Sequence, residues 1–146
     1  MPVSPASSGS SAAADPCAAN PLPHLVLVSV AQQYEWMCAG GRVLYQNAVT
    51  TGIPTDDYHT PTGRFVIQAK MTDQTLTLLT GDHYVVHYWI PFDAPLFGFH
   101  DASWQTIPYG SARYRTNGSH GCVHMPLAAI AWLYRWAPVG TPVVIT

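Results

Sequence analysis

One cysteine of the sequence lies directly beside a glycine and near a histidine, in the run Ser119-His120-Gly121-Cys122. Nucleophilic catalysis by cysteine needs a thiolate, an imidazole that exchanges the proton, and hydrogen-bond donors for the oxyanion that develops on the substrate. Because Gly121 lets the backbone approach a substrate closely, the amides of His120, Gly121 and Cys122 are candidates for those donors. We therefore interpret Cys122 as a candidate nucleophile.

The position of Cys122 just before a predicted helix suggests a further property of the thiol. A helix N-terminus stabilises a nearby negative charge and lowers the pKa of a cysteine there. The hypothesis at this stage is a thiol with a lowered pKa.

Seven histidines compete for the role of base. His100 stands out because it follows the apolar, glycine-containing run Phe97-Gly98-Phe99 and precedes Asp101, whose carboxylate or carbonyl would orient the ring. A single histidine is more often structural than catalytic, so the residue types alone leave His100 one candidate among several.

The elements that must position these residues are mostly short strands. Runs of β-forming residues are separated by turns that contain Gly, Pro, Asp and Thr. The predicted strands lie in Leu25–Val28 with Tyr34–Met37, Arg42–Tyr45, Arg64–Ala69, Thr75–Leu79, Tyr84–Ile90 and Pro142–Thr146. Since a Gly-Gly pair suits a tight hairpin, Gly40-Gly41 predicts that the first three strands form a meander.

One helix is predicted, from Pro126 to about Trp136. Proline suits the first helical turn, and apolar residues recur at helical spacing up to Pro138. The predicted fold is therefore mostly β, with one helix in the C-terminal half. Cys122 falls in the loop that leads into that helix.

The length of 146 residues fits one domain. Residues 1–23 are rich in Ser, Ala and Pro, which predicts a flexible leader, and residues 24–146 form the predicted folded domain. The net charge of -2, with six Lys plus Arg, gives no basic surface for nucleic acid. No stretch reaches the roughly 18–20 apolar residues of a membrane span.

The chain has three cysteines, an odd number that leaves at least one thiol free. One disulfide between Cys17 and Cys38 with a free Cys122 would fit an exported protein. Three inert thiols are the alternative that the residues leave open.

Several segments together resemble the catalytic domain of L,D-transpeptidases of the YkuD type, over about residues 25–146. The most specific are Phe99-His100-Asp101-Ala102-Ser103-Trp104 and Gly118-Ser119-His120-Gly121-Cys122-Val123. Further similar segments are Val49-Thr50-Thr51-Gly52, Thr60-Pro61-Thr62-Gly63-Arg64-Phe65, and the ending with Leu133-Tyr134 and Gly140-Thr141-Pro142-Val143.

The resemblance implies a β-sandwich or barrel of short strands and assigns roles to residues. Cys122 would be the acyl-transfer nucleophile and His100 the proton acceptor and donor. A carbonyl, either that of Asp101 or one near Ser119, would hold the His100 ring. His120 is the alternative base, but is expected to shape the loop and lend its amide, while Ser119 braces the loop.

The resemblance also implies a substrate class. Cys122 would take an acyl group from a tetrapeptide stem of peptidoglycan, expel D-alanine, and pass the acyl group to an amine of another stem as a 3→3 cross-link. A hydrolase of the same stems and an inactive wall-binding module are the alternatives. The implied setting is outside the cytoplasm of a bacterium, without cofactor or metal, with carbapenems expected to acylate Cys122.

One position departs from the family pattern, which usually has Asn or Arg two residues after the cysteine. This chain has His124 there, so we expect an altered substrate contact. Tyr88 and Trp89 are further candidates for lining the cleft, and a core strand with an exposed edge is the alternative for this segment. The spacing of His83 and His87 would suit a metal on a helix, but the surrounding Tyr84-Val85-Val86 favours a strand, which argues against a metal site.

Overall fold

The structure is a computed structural model that describes residues 15–78 and 80–146. Residues 1–14 of the predicted leader and Leu79 of a predicted strand lie outside the described residues. The strands are β1 (Leu25–Ser29), β2 (Tyr34–Ala39), β3 (Arg42–Ala48), β4 (Gly63–Val66), β5 (Met71–Thr77), β6 (His83–Asp93), β7 (Phe97–His100), β8 (Val123–His124) and β9 (Pro142–Ile145). The helices are α1 (Tyr114–Asn117) and α2 (Leu127–Trp136).

The first sheet has five strands in the order β3-β2-β1-β9-β4. Strands β1 to β3 are antiparallel neighbours, which confirms the predicted meander. The C-terminal strand β9 enters beside β1 in parallel, with Val143 opposite Val26. Val26 and Val28 of β1 and their partners Val143 and Ile145 of β9 are buried in the main core on one face of this sheet.

The second sheet has four strands in the order β5-β6-β7-β8. Side chains from both sheets and from α2 form the main core. Most of the regular structure lies in these two sheets, which confirms the predicted mostly β fold. The fully buried members of the main core include Val26, Met37, Ile90, Phe99, Val123, Ile130 and Leu133. Helix α2 contributes the apolar face that its spacing predicted, and Pro126 forms its N-cap.

Three elements were not predicted. Strand β7 has four residues including a glycine, β8 has two residues, and α1 has four. Elements this short carry too few residues to show a period in the sequence. Strand β5 also lies earlier than predicted, at Met71–Thr77.

A disulfide joins Cys17 to Cys38, and both residues are fully buried. They pack with Leu25 in a small cluster on the first sheet, away from the main core. The bond therefore ties the segment before β1 to strand β2. No helix among the described residues is long and apolar enough to cross a membrane.

Candidate active site

Three neighbouring strands of the second sheet align three side chains. Strand β8 pairs with β7 in parallel, with His124 opposite His100, and β6 pairs with β7, with Trp89 opposite His100. Because directly paired residues share a face of a sheet, Trp89, His100 and His124 point to the same side. Cys122 lies in a bend directly before β8, and it lines the same cavity as His100 and His124.

The loop from Ser119 to Cys122 is fixed by its own hydrogen bonds. The Ser119 hydroxyl donates to the Cys122 carbonyl and accepts from the Gly121 amide. Gly121 has a φ of 127°, and a side chain there would overlap the ring of Phe97. Only glycine therefore permits this turn.

The same hydrogen bonds correct the prediction that three amides converge on one oxygen. The Gly121 amide already donates to Ser119 over 3.1 Å. Among the described residues, the amides of His120 and Cys122 have no hydrogen-bond acceptor. The candidate oxyanion donors are therefore two amides instead of three.

The upstream threonine and glycine motifs support this loop from behind. The Thr60 hydroxyl donates to the Gly121 carbonyl over 2.8 Å and accepts from the Gly52 amide. The Thr51 carbonyl accepts from the Ser119 amide over 3.0 Å. A side chain on Gly52 would collide with the carbonyl of Tyr58, so the close approach of these two segments requires glycine.

The ring of His100 has a defined tautomer. Its Nδ1 lies 2.8 Å from the Asp101 carbonyl, which can only accept, so Nδ1 carries the proton and Nε2 the lone pair. Of the two carbonyls considered from the sequence, the structure uses that of Asp101. Burial lowers the pKa of His100 to about 4, against the opposite effect of this hydrogen bond. The ring is therefore a neutral proton acceptor at pH 7.

The carboxylate of Asp101 anchors this arrangement to strand β6. It accepts from the amides of His87 and Tyr88 and from Nδ1 of His87, at 2.9 to 3.0 Å. Burial acts to raise the pKa of Asp101, but these hydrogen bonds from His87 and Tyr88 hold it below its usual value. An ionised Asp101 thus fixes the backbone whose carbonyl orients His100.

The thiol of Cys122 is buried, with 8% of the residue exposed. Its Sγ donates to the Leu96 carbonyl over 3.2 Å. Burial raises the pKa of Cys122 to about 12, although the backbone at Gly98 acts to lower it. The hypothesis of a lowered pKa is therefore wrong for the free protein, because loss of solvent outweighs the influence of a helix that begins five residues later, at Leu127.

Cys122 opens onto a cavity of about 340 Å³, within the usual size of small-ligand sites. The predicted site residues that line it are Trp89, His100, Ser119, His120, Cys122 and His124. Gly121 and Asp101 lie behind this lining and support it through the hydrogen bonds above.

Tyr88 does not line the cavity, in contrast to the prediction. Successive residues of a strand point to opposite faces, so Tyr88 lies on the other side of β6 from Trp89. Its ring packs against Tyr134 of α2, with centroids 5.2 Å apart. Tyr88 is therefore a packing residue.

The remaining histidines serve other contacts. His120 is exposed and stacks on Tyr58, with ring centroids 4.2 Å apart. His83 hydrogen-bonds Thr77, while His87 faces Asp101. Within the described part of the chain, no three His, Cys, Asp or Glu side chains are grouped as a metal site would require.

Residues 23–145 match the YkuD family, the L,D-transpeptidase catalytic domain. The chain belongs to this family. A relative from Bacillus subtilis (strain 168), named "Putative L,D-transpeptidase YciB", is 25% identical over 125 residues, which cover 82% of this chain and 63% of the relative.

Solved structures of L,D-transpeptidases share the fold. A crystal structure of a mutant Enterococcus faecium L,D-transpeptidase has a TM-score of 0.77 at 32% identity, covering 85% of this chain and 50% of that one. The NMR structure of the catalytic domain from E. faecium has a TM-score of 0.73 at 32% identity, covering 84% and 96%. The chain thus corresponds to about half of the longer enterococcal protein and to nearly all of its catalytic domain.

Three residues of this YkuD domain were missed as site residues. Leu96 contributes only its carbonyl, which no sequence pattern marks. Trp104 stands at the end of the Phe99–Trp104 motif, and its ring lies 5.8 Å from that of His100. Gln105 follows it and accepts from His124 over 2.8 Å. The motif that contains His100 therefore also marked Trp104. Gln105 is the residue that directly follows this motif.

Proposed function

We propose that this domain transfers acyl groups between peptidoglycan stem peptides, with Cys122 as nucleophile and His100 as base. The observation that carries the proposal is the alignment of the free thiol and a neutral imidazole on one side of the second sheet, at one cavity. The names of the relatives support the substrate class, since they are L,D-transpeptidases.

Acylation starts from two neutral groups. The pKa of Cys122 is raised to about 12 and that of His100 lowered to about 4, so a standing thiolate–imidazolium pair is disfavoured. Nε2 of His100 therefore takes the thiol proton as the sulfur attacks the carbonyl carbon after the third stem residue. His100 then gives the proton to the departing amine of D-alanine.

The loop supplies the electrostatic part of this step. The free amides of His120 and Cys122 are the donors for the oxyanion of the tetrahedral intermediate. The thiol must leave the Leu96 carbonyl before its proton reaches His100, because a single S–H donates to one acceptor at a time.

In the second half-reaction, an amine of another stem attacks the thioester and a 3→3 cross-link forms. Of the described residues that line the cavity, Asp57 has the only carboxylate, and none is Lys or Arg. This charge distribution favours the approach of amines. Aromatic rings of Trp89 and Trp104 flank His100 at 5.9 and 5.8 Å and reduce access of water, which favours transfer over hydrolysis.

The place of action that fits this function is outside the cytoplasm, where peptidoglycan is cross-linked. The disulfide between Cys17 and Cys38 supports this, because such bonds persist mainly in oxidising compartments.

The test is mass spectrometry of the products from purified protein and disaccharide-tetrapeptide. We expect a dimer with a 3→3 cross-link and release of D-alanine, and neither with Cys122→Ala at equal folded concentration. Trimmed tripeptide stems without dimer would show a hydrolase instead. Dimer formation by Cys122→Ala, or no D-alanine release by the unchanged protein, would contradict the proposal.

A further inference from the structure

A second neutral imidazole lies beside His100 at the cavity. His124 is 7% exposed, and its ring centroid is 4.7 Å from that of His100. It lines the same cavity, yet acylation as described above needs only one base. The proposed function therefore leaves this residue without a role.

The hydrogen bonds of Gln105 fix which nitrogen of His124 carries the proton. The Gln105 amide nitrogen donates to the Ile107 carbonyl and to the Thr50 hydroxyl, both at 2.9 Å. Its oxygen is therefore the atom that faces His124, at 2.8 Å from Nδ1. An amide oxygen only accepts, so Nδ1 of His124 carries the proton and Nε2 presents a lone pair.

The two rings thus present equivalent atoms. Nε2 of His100 and Nε2 of His124 each have a lone pair, and neither is hydrogen-bonded to a described residue. Neither atom is among the buried unpaired polar atoms of the described residues, so both reach the open space of the cavity. Burial lowers the pKa of His124, and the nearby rings of His100 and His120 lower it further, so the pair stays neutral.

Two neighbouring acceptors suit a group with two N–H donors. A primary amine has two N–H bonds and one lone pair, whereas a secondary amine has only one N–H. We propose that His124 is a specificity residue that accepts one N–H of the incoming primary amine while His100 accepts the other. This inference rests on the proposed acyl transfer.

The step balances without a further reactant. The amine lone pair forms the N–C bond with the thioester carbon, and the N–H proton that faces His100 moves to its Nε2. The C–S bond breaks and its electron pair goes to Cys122, which regains the proton from His100. The N–H that faces His124 stays on the product amide, so His124 orients the amine without exchanging a proton.

The test compares a primary amine acceptor with its N-methyl counterpart in the unchanged protein and in His124→Asn. Asparagine can keep the donor to Gln105 through its Nδ2 but lacks an acceptor at the position of Nε2. The quantity measured is the rate of amide formation from pre-formed acyl-enzyme. We expect the ratio of the primary to the N-methyl rate to fall about tenfold in His124→Asn, the effect of one lost hydrogen bond.

A purely structural role for His124 would lower both rates together and leave their ratio unchanged, and that result would overturn the assignment. An unchanged ratio with unchanged rates would overturn it too. Failure of the proposed function looks different, because the unchanged protein would then form no amide with either amine. In that case, the assignment fails with it.

Discussion

Glutamine in place of His100 is expected to slow formation of the acyl-enzyme by about 10²–10⁴-fold. The imidazole is the group that takes the thiol proton, and a glutamine amide has no basic nitrogen. Because Cys122 has its pKa raised to about 12, almost no thiolate forms at pH 7 without a base. The measurement is the single-turnover rate of acylation by a tetrapeptide donor, followed by intact-protein mass.

His120→Gln is the matched control for this prediction. His120 also lines the cavity, but it is exposed and stacked on Tyr58. We expect its replacement to change the acylation rate only a few-fold. A large loss in His120→Gln with only a few-fold change in His100→Gln, with folding verified by circular dichroism, would reassign the base to His120, and equal losses would contradict a role for His100 alone.

Glutamine in place of Glu35 is expected to remove most of the fall in stability between about pH 6.5 and pH 8. Glu35 is fully buried, and burial raises its pKa from 4.5 to about 8, against the opposite effect of its hydrogen bond from Asn47. Across this window, the unfolded chain has lost the proton while the folded protein retains it. The contribution of Glu35 to the free energy of unfolding therefore falls as pH rises, by up to about 1.4 kcal/mol per pH unit. The window starts at about pH 6.5 because the lowered pKa values of His100 and His124 make stability rise with pH below that value.

The expected loss between about pH 6.5 and pH 8 is about 2 kcal/mol, a sizeable part of the stability of a domain this size. Oε1 of Glu35 and Oδ1 of Asn47 are buried without a hydrogen-bond partner, and in Glu35→Gln an amide nitrogen replaces one carboxyl oxygen and is a donor available to Asn47. Urea unfolding at several pH values checks this, with Asp56→Asn at an exposed carboxyl as control. A similar slope in the unchanged protein and Glu35→Gln would contradict the account.

The sequence was most informative where chemistry and pattern coincided. Leu25–Val28 was recognisable as a run of β-forming residues. The helix that begins at Leu127 was recognisable from the helical spacing of its apolar residues. Cys122 and His100 were recognisable because the residues around them resemble a known motif. Neither inference required knowledge of contacts between distant segments.

What the sequence missed depends on tertiary contacts. The Leu96 carbonyl is a backbone atom, and its role arises only because two loops meet at the thiol. The raised pKa of Cys122 reflects burial by residues far along the chain, which a helix start nearby in sequence did not reveal. Tyr88 was misplaced because adjacent strand residues face opposite ways, and only the register shows which one faces the cavity.

The central claim is that the sulfur of Cys122 carries the acyl group, and peptide mapping of the trapped intermediate tests it most directly. The protein is incubated with a tetrapeptide donor whose own amines are blocked, so that no acceptor amine is present, then quenched with acid, digested and sequenced by mass spectrometry. We predict a tripeptide acyl group on the fragment that contains Cys122, released by hydroxylamine as a thioester is. An acyl group on another residue, or release of D-alanine with Cys122 unmodified throughout, would contradict the claim.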